Sequence, residues 1–228
     1  MTSPIILATD TDDLATAKRW IDSTREYIDI YKFGLEFYLK FGREVLSEVQ
    51  REFGCEVFLD LKLHDIPNTV GAATAQVAML KPRFLTVHAS GGRAMIKAAC
   101  ESAPDTDITA VTILTSLSQE DISEIGFEGT TLTRATSLAK LATDSGARAI
   151  VCSPLEIESI RANLPKEISI ITPGIRPKNS AQSDDQKRVM DPKSAIKAGA
   201  NFLVIGRPIT AAPDVSVAAK IIYEEASL

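Results

Sequence analysis

The chain has 228 residues, 45% of them hydrophobic and 24% charged. Those values exclude a small stapled fold and a low-complexity chain, and they suit one globular domain spanning 1–228. With 25 Lys and Arg against 30 Asp and Glu, the net charge of -5 lacks the basic footprint of a nucleic-acid binder. Cys55, Cys100 and Cys152 are widely spaced and form no C-x-x-C pair, so reduced thiols in a cytoplasmic protein are expected, not a zinc ribbon or a redox dithiol. Residues 1–7 lack the basic start of a signal peptide. No apolar run approaches the ~18 residues of a membrane span, so no membrane partner is expected.

In chain order, short β-rich runs occur at Ile5–Ala8, Ile28–Phe33, Glu56–Leu61, Phe84–Val87, Ile108–Thr112, Ala149–Cys152, Ser169–Thr172 and Phe202–Ile205. Most are nearly continuous apolar segments, as expected for parallel strands covered on both faces. Helical patterns lie between them. Leu14, Ala17, Trp20 and Ile21 form the first stripe, and Leu35 to Phe53 places Tyr38, Phe41, Val45 and Val49 on another. Further patterns cover 68–80, 92–103, 130–145, 154–164 and 192–200. Ser153-Pro154 and Asp191-Pro192 read as an N-cap followed by Pro at the first helical position. This alternation predicts an α/β fold of the (β/α)8 TIM barrel class. An open doubly wound sheet is the alternative, but the first strand ends in the acidic, glycine-free run Ala8-Thr9-Asp10-Thr11-Asp12-Asp13. Residues 176–190 are irregular and read as a long loop after the seventh strand.

Chemistry in such a barrel sits at the C-terminal strand ends. Asp10 ends the first strand, and the second carries Lys32 between Tyr31 and Phe33. In the third, Asp60 and Lys62 are two apart and share the inward face, leaving Leu59, Leu61 and Leu63 to meet the helices. Inward charges are costly unless they pair. Asp65 lies just beyond, free to turn to this site or to a neighbouring subunit. The loops after strands seven and eight carry Thr172-Pro173-Gly174-Ile175-Arg176 and Ile205-Gly206-Arg207-Pro208. This is the usual phosphate position of these barrels, where Gly206 admits an anion to the backbone and Arg176 and Arg207 fork onto its oxygens. Gln186 adds an amide donor from the long loop. His64 and His88, the only histidines, are expected to be structural or orienting, with His64 facing away from Lys62 if the strand continues.

The run Asp60-Leu61-Lys62-Leu63-His64-Asp65-Ile66-Pro67-Asn68-Thr69 resembles the signature of the orotidine 5'-phosphate decarboxylases. Val87-His88-Ala89-Ser90-Gly91-Gly92, Val111 to Ser116, Val151-Cys152-Ser153 and the two phosphate loops match bacterial-type landmarks in order. Asp-x-Lys-x-x-Asp alone is shared with related sugar-phosphate lyases, whereas its extension through Asn68 is specific. The resemblance implies cofactor-independent conversion of orotidine 5'-phosphate to UMP and carbon dioxide, in a homodimer with shared active sites. It implies that Lys62 is the proton donor to pyrimidine C6, within a charge network of Lys32, Asp60, Lys62 and the second subunit's equivalent of Asp65. Asp10 and Lys32 would hold ribose hydroxyls, Thr69 would reach a ribose across the dimer, and Thr115 would contact the base. Arg176, Gln186, Gly206 and Arg207 would hold the phosphate. A metal-dependent sugar-phosphate lyase and a non-catalytic phosphate sensor on the same barrel are the rival expectations.

Overall fold

The computed structural model describes residues 3–177 and 189–227. The chain alternates β1 (Ile5–Ala8), α1 (Leu14–Thr24), β2 (Ile30–Gly34), α2 (Leu35–Phe53), β3 (Glu56–Leu63), α3 (Pro67–Ala78), β4 (Phe84–His88) and α4 (Gly92–Ser102). It continues through β5 (Asp107–Val111), α5 (Gln119–Glu124), α6 (Thr131–Thr143), β6 (Ala149–Val151), α7 (Ile157–Asn163) and β7 (Ser169–Thr172). It ends with α8 (Pro192–Ala198), β8 (Phe202–Ile205), α9 (Arg207–Thr210) and α10 (Val215–Ala226). The eight strands pair in sequence order, all parallel, and β8 closes on β1. The expected (β/α)8 barrel is therefore the observed fold.

Period-two alternation sorts the strand residues into two cores. Ile5, Leu7, Tyr31, Phe33, Val57, Leu59, Leu85 and Val87 point outward and pack with the helices. Ile6, Ile30, Phe58, Phe84, Ala149, Ile171 and Phe202 form a separate cluster inside the barrel. Two steps along each strand from that inner layer lie Ala8, Lys32, Asp60 and Thr86, then Val151, Pro173 and Val204. The same parity that fills the barrel thus lifts polar groups to one side of its mouth and apolar groups to the other.

The lower end is shut. Phe84 packs edge-on against both Phe58 and Phe202, with centroids 5.6 and 5.4 Å away. The Arg83 guanidinium covers the Phe84 and Phe202 rings at 5.2 and 5.1 Å and pairs with Glu56.

Three features depart from the sequence reading. The strand boundaries move by one or two residues, and β3 runs on to Leu63. Helix α2 is broken at Gly42, whose φ of 74° lies outside helical space, so its apolar stripe changes phase. Phe37, Leu46 and Val49 are its buried residues, and Tyr38, Phe41 and Val45 are half-buried. Helices α5, α9 and α10 are additional to those expected; α10 starts on Asp214, whose side chain accepts from Val217 N, and packs on α1 and α8. Its β-branched Val215, Val217, Ile221 and Ile222 weakened the helical signal.

Replacing Arg83 by Ala removes the cationic cover over two rings together with its alkyl packing. Chemical denaturation is expected to show a loss of about 1–2 kcal/mol with the barrel intact by circular dichroism.

Candidate active site

A cavity of about 500 Å³ opens at the C-terminal ends of the strands. That is ample for a nucleotide-sized ligand. Asp10, Lys32, Asp60, Lys62, Thr115, Arg176, Gly206 and Arg207 all line it. The sequence reading brought these residues together from six different strands or strand ends. Asp65 and Thr69 are exposed on the run after β3 and do not line this cavity. Gln186 lies outside the described residues.

The charged wall is built on β1, β2 and β3. Lys32 is 8% exposed and Asp60 9%, so neither is solvated as a free ion. Lys32 Nζ donates to Asp10 Oδ1 at 2.8 Å and stands 3.6 Å from Asp60 Oδ2. Lys62 Nζ spans both oxygens of Asp60 at 2.8 and 2.9 Å. The order Asp10–Lys32–Asp60–Lys62 alternates in sign, so each inner charge has an opposite neighbour on either side. Burial pushes the Asp60 carboxyl upward, but Lys32, then Lys62, with hydrogen bonds from Lys62 and Thr86, overcome it and hold the group below its ordinary value. Burial likewise disfavours the Lys32 ammonium, but the charges of Asp60 and Asp10 hold its pKa above the ordinary lysine value.

Lys62 reaches this position by an irregular backbone. Leu59 pairs with Leu85 and Leu63 with Val87, so β3 carries surplus residues between these partners. Lys62 itself has φ 49°, in the left-handed region that a long side chain rarely adopts. Its shared face with Asp60 is correct, but the plain alternation that predicted it does not hold here. Such outliers persist where the surroundings enforce them, and they concentrate at functional sites. His64, past the irregularity, is not carried to a far face: its ring lies 5.3 Å from that of His88. Burial, then the neighbouring His64 and Lys62, keep His88 below its ordinary pKa and favour the neutral imidazole, against the opposing pull of Asp60.

The opposite wall is apolar: Val111, Ile113, Val151, Pro173 and Val204, with Phe58 below. A rim of cations borders it, on the loops after β7 and β8. Gly174, at φ 76°, turns the chain after β7, and Arg176 follows, its N–H donating to Met190 O at 3.0 Å. Gly206 ends β8 beside Ala8; a Cβ there would stand 3.4 Å from the Ala8 methyl. Its carbonyl accepts from Ile209 and Thr210, starting the turn that carries Arg207.

The sequence reading missed this apolar wall, although the inward parity of each strand marks it. It also missed Thr86, which is fully buried and donates to Asp60 Oδ1 at 3.0 Å. Its signal was a lone hydroxyl in the apolar strand Phe84-Leu85-Thr86-Val87. Among the described residues, no group of three or more His, Cys, Asp or Glu could hold a metal ion, and no helix is long and apolar enough to cross a membrane.

The two shifts fix the pH range over which the array stabilises the fold. A depressed Asp60 contributes fully above the unfolded carboxyl value of 3.8, and the contribution is lost as pH falls through its lower folded value. A raised Lys32 contributes fully below 10.5 and loses its contribution as pH rises through its higher folded value. Denaturation of Asp60→Asn against wild type is therefore expected to show a stability deficit that is constant around neutrality and shrinks below about pH 3.8.

Comparison with known proteins agrees over the whole chain. The family model for "Orotidine 5'-phosphate decarboxylase / HUMPS family" matches residues 3–222. An orotidine 5'-phosphate decarboxylase of Thermobifida fusca (strain YX) is 48% identical over 225 residues, covering 99% of this chain and 96% of the relative. One from Paramagnetospirillum magneticum (strain ATCC 700264 / AMB-1) is 44% identical over 237 residues, covering 100% of both. The crystal structure of orotidine 5'-phosphate decarboxylase from Lactobacillus acidophilus superposes with a TM-score of 0.87 at 33% identity, over 99% of this chain and 100% of that one. A charge array and a cationic rim on a closed barrel thus meet sequence similarity along the full length, and the chain belongs to the orotidine 5'-phosphate decarboxylase / HUMPS family.

Proposed function

We propose that this chain is an orotidine 5'-phosphate decarboxylase, releasing carbon dioxide and UMP in pyrimidine biosynthesis, and that residues 1–228 act as one catalytic domain. The observation that carries the reading is the Lys32–Asp60–Lys62 array, held across the cavity from Arg176, Gly206 and Arg207. A phosphorylated ligand anchored at that rim presents its other end to the array.

The chemistry then follows from charge. The bond between C6 and the carboxylate breaks, carbon dioxide leaves, and the electron pair stays on C6. The Lys62 ammonium stabilises that charge electrostatically and donates the proton that forms the new C6–H bond. The resulting amine regains a proton from water. Asp60 holds Lys62 through both oxygens, which fixes the ammonium before the reaction begins. Lys32 and Asp10 hold the ribose hydroxyls, and Thr115 meets the base. Arg176 and Arg207, with the backbone at Gly206 and the Gln186 amide, hold the phosphate. That phosphate does not react, so its binding energy serves orientation and the exclusion of water.

Asp65 and Thr69 belong to this reading through a homodimer. Both are exposed and lie outside the cavity of their own chain, as residues serving a partner's cavity would be. The unpaired cysteines accord with a cytoplasmic enzyme.

Orotidine 5'-phosphate mixed with the purified chain in excess EDTA is expected to lose its ultraviolet absorbance as UMP forms. Unchanged absorbance, with activity on a sugar phosphate restored by magnesium, would instead establish the metal-dependent lyase. Shared sites have their own signature. Lys62→Ala and Asp65→Ala chains, each inactive alone, are expected to regain activity when subunits exchange, because one site of each mixed dimer is then wholly normal. Mixed dimers without turnover would confine each site to one chain.

A further inference from the structure

Thr86 stands at the centre of β4 with no exposed surface, between Phe84 below and His88 above. Its hydroxyl joins two parts of the charge array. Oγ1 accepts from the backbone N–H of Lys62 at 2.8 Å and meets Asp60 Oδ1 at 3.0 Å. An ionised carboxylate can only accept, so the single hydroxyl proton points to Asp60. The Lys62 ammonium returns to the same carboxylate, closing a ring of Lys62 backbone, Thr86, Asp60 and Lys62 side chain.

This ring lies where the β3–β4 ladder is interrupted, between the pairs Leu59–Leu85 and Leu63–Val87. The hydroxyl takes the Lys62 N–H that regular pairing with β4 would have satisfied. A buried N–H left without a partner is costly, and Lys62 is already held at φ 49°. One oxygen atom therefore fixes both the backbone from which the Lys62 side chain springs and the carboxylate that aims it.

We propose that Thr86 is a positioning residue for the decarboxylation assigned above, on which this proposal rests. It touches no substrate; it sets the Lys62 ammonium at C6 and supplies one of the contacts that keep Asp60 ionised. The charged and titratable groups around Asp60 are Lys32 from β2, Lys62 from its own strand and His88 from β4, with Asp10 of β1 reaching Lys32. A substitution at Thr86 leaves every one of these groups in the chain and changes only the hydroxyl that holds Lys62 and Asp60. Valine matches threonine in shape and deletes the hydroxyl, whereas serine keeps the hydroxyl and deletes the methyl.

The experiment measures kcat and KM for orotidine 5'-phosphate, and the pH profile of kcat, in wild type, Thr86→Val and Thr86→Ser, with thermal unfolding as the control for folding. Thr86→Val is expected to lower kcat by ~10–100-fold with KM little changed. Its acid limb moves to higher pH, because Asp60 has lost a stabilising hydrogen bond. Thr86→Ser keeps kcat within a few-fold of wild type and leaves the limb in place. Should Thr86→Val fail to fold, Thr86→Ala carries the same expectation. A folded Thr86→Val with wild-type kcat and acid limb overturns the proposal. So does Thr86→Ser falling as far as Thr86→Val with the limb unmoved, which would assign the loss to packing of β4. A wild-type chain without turnover overturns the decarboxylase reading as well; a working wild type with an indifferent Thr86→Val overturns this proposal alone.

Discussion

Asp60 is a carboxylate taken almost wholly out of water and held there by two ammonium groups. Removing such a charge from solvent is strongly unfavourable by itself, and only close opposite charges and hydrogen bonds offset the loss. Lys32 and Lys62 supply the charges, and Thr86 and Lys62 the hydrogen bonds. Much of the upper barrel is arranged around this requirement. Lys32 needs Asp10 as well as Asp60, which ties β1 to β2 and β3 through side chains as well as through the ladder. The array thus offsets the desolvation of its own charges and supplies a pre-aligned ammonium, and neither role separates from the other.

Strand parity distributes the rest. Positions two steps above the inner apolar layer are charged or hydroxylated on β2 to β4 and apolar on β5 to β8, where the cavity wall is lined by Val111, Val151, Pro173 and Val204. A low-dielectric wall facing an ionic one strengthens every interaction between them, because little water remains to screen it. The cationic rim at Arg176 and Arg207 lies outside this contrast, on loops after β7 and β8. Anchoring and reacting ends of a ligand therefore meet different environments on different parts of the fold.

The sequence carried much of this arrangement because alternation is a local rule. Lys32 and Asp60 sit on apolar strands at inward positions, and nothing beyond their neighbours is needed to see it. The helix caps at Ser153 and Asp191 were legible for the same reason, since an N-cap acts within one turn. What stayed hidden depends on partners distant in sequence. The irregular β3 arises from its register against β4, and its pairing places Lys62 differently from simple alternation. Thr86 gains meaning only when β4 lies beside Asp60, 26 residues earlier. The break at Gly42 shows the converse: a glycine within a good helical stripe left the pattern intact while changing the phase of the helix.

Arg83 and the three phenylalanines beneath the cavity make the barrel a blind vessel. Ile6, Ile30, Phe58 and Phe84 leave essentially no surface to solvent, and the guanidinium lies across the bottom. The described residues close the far end, so a ligand that enters at the rim would leave by the same passage and the traffic through it would be sequential. A small neutral gas can slip past a larger anion in such a passage, while the anion must first let go of the arginines at the threshold. In the proposed reaction, release of the nucleotide would then be governed by the rim, far from the bond that breaks, and substitutions there would alter turnover without touching the chemistry.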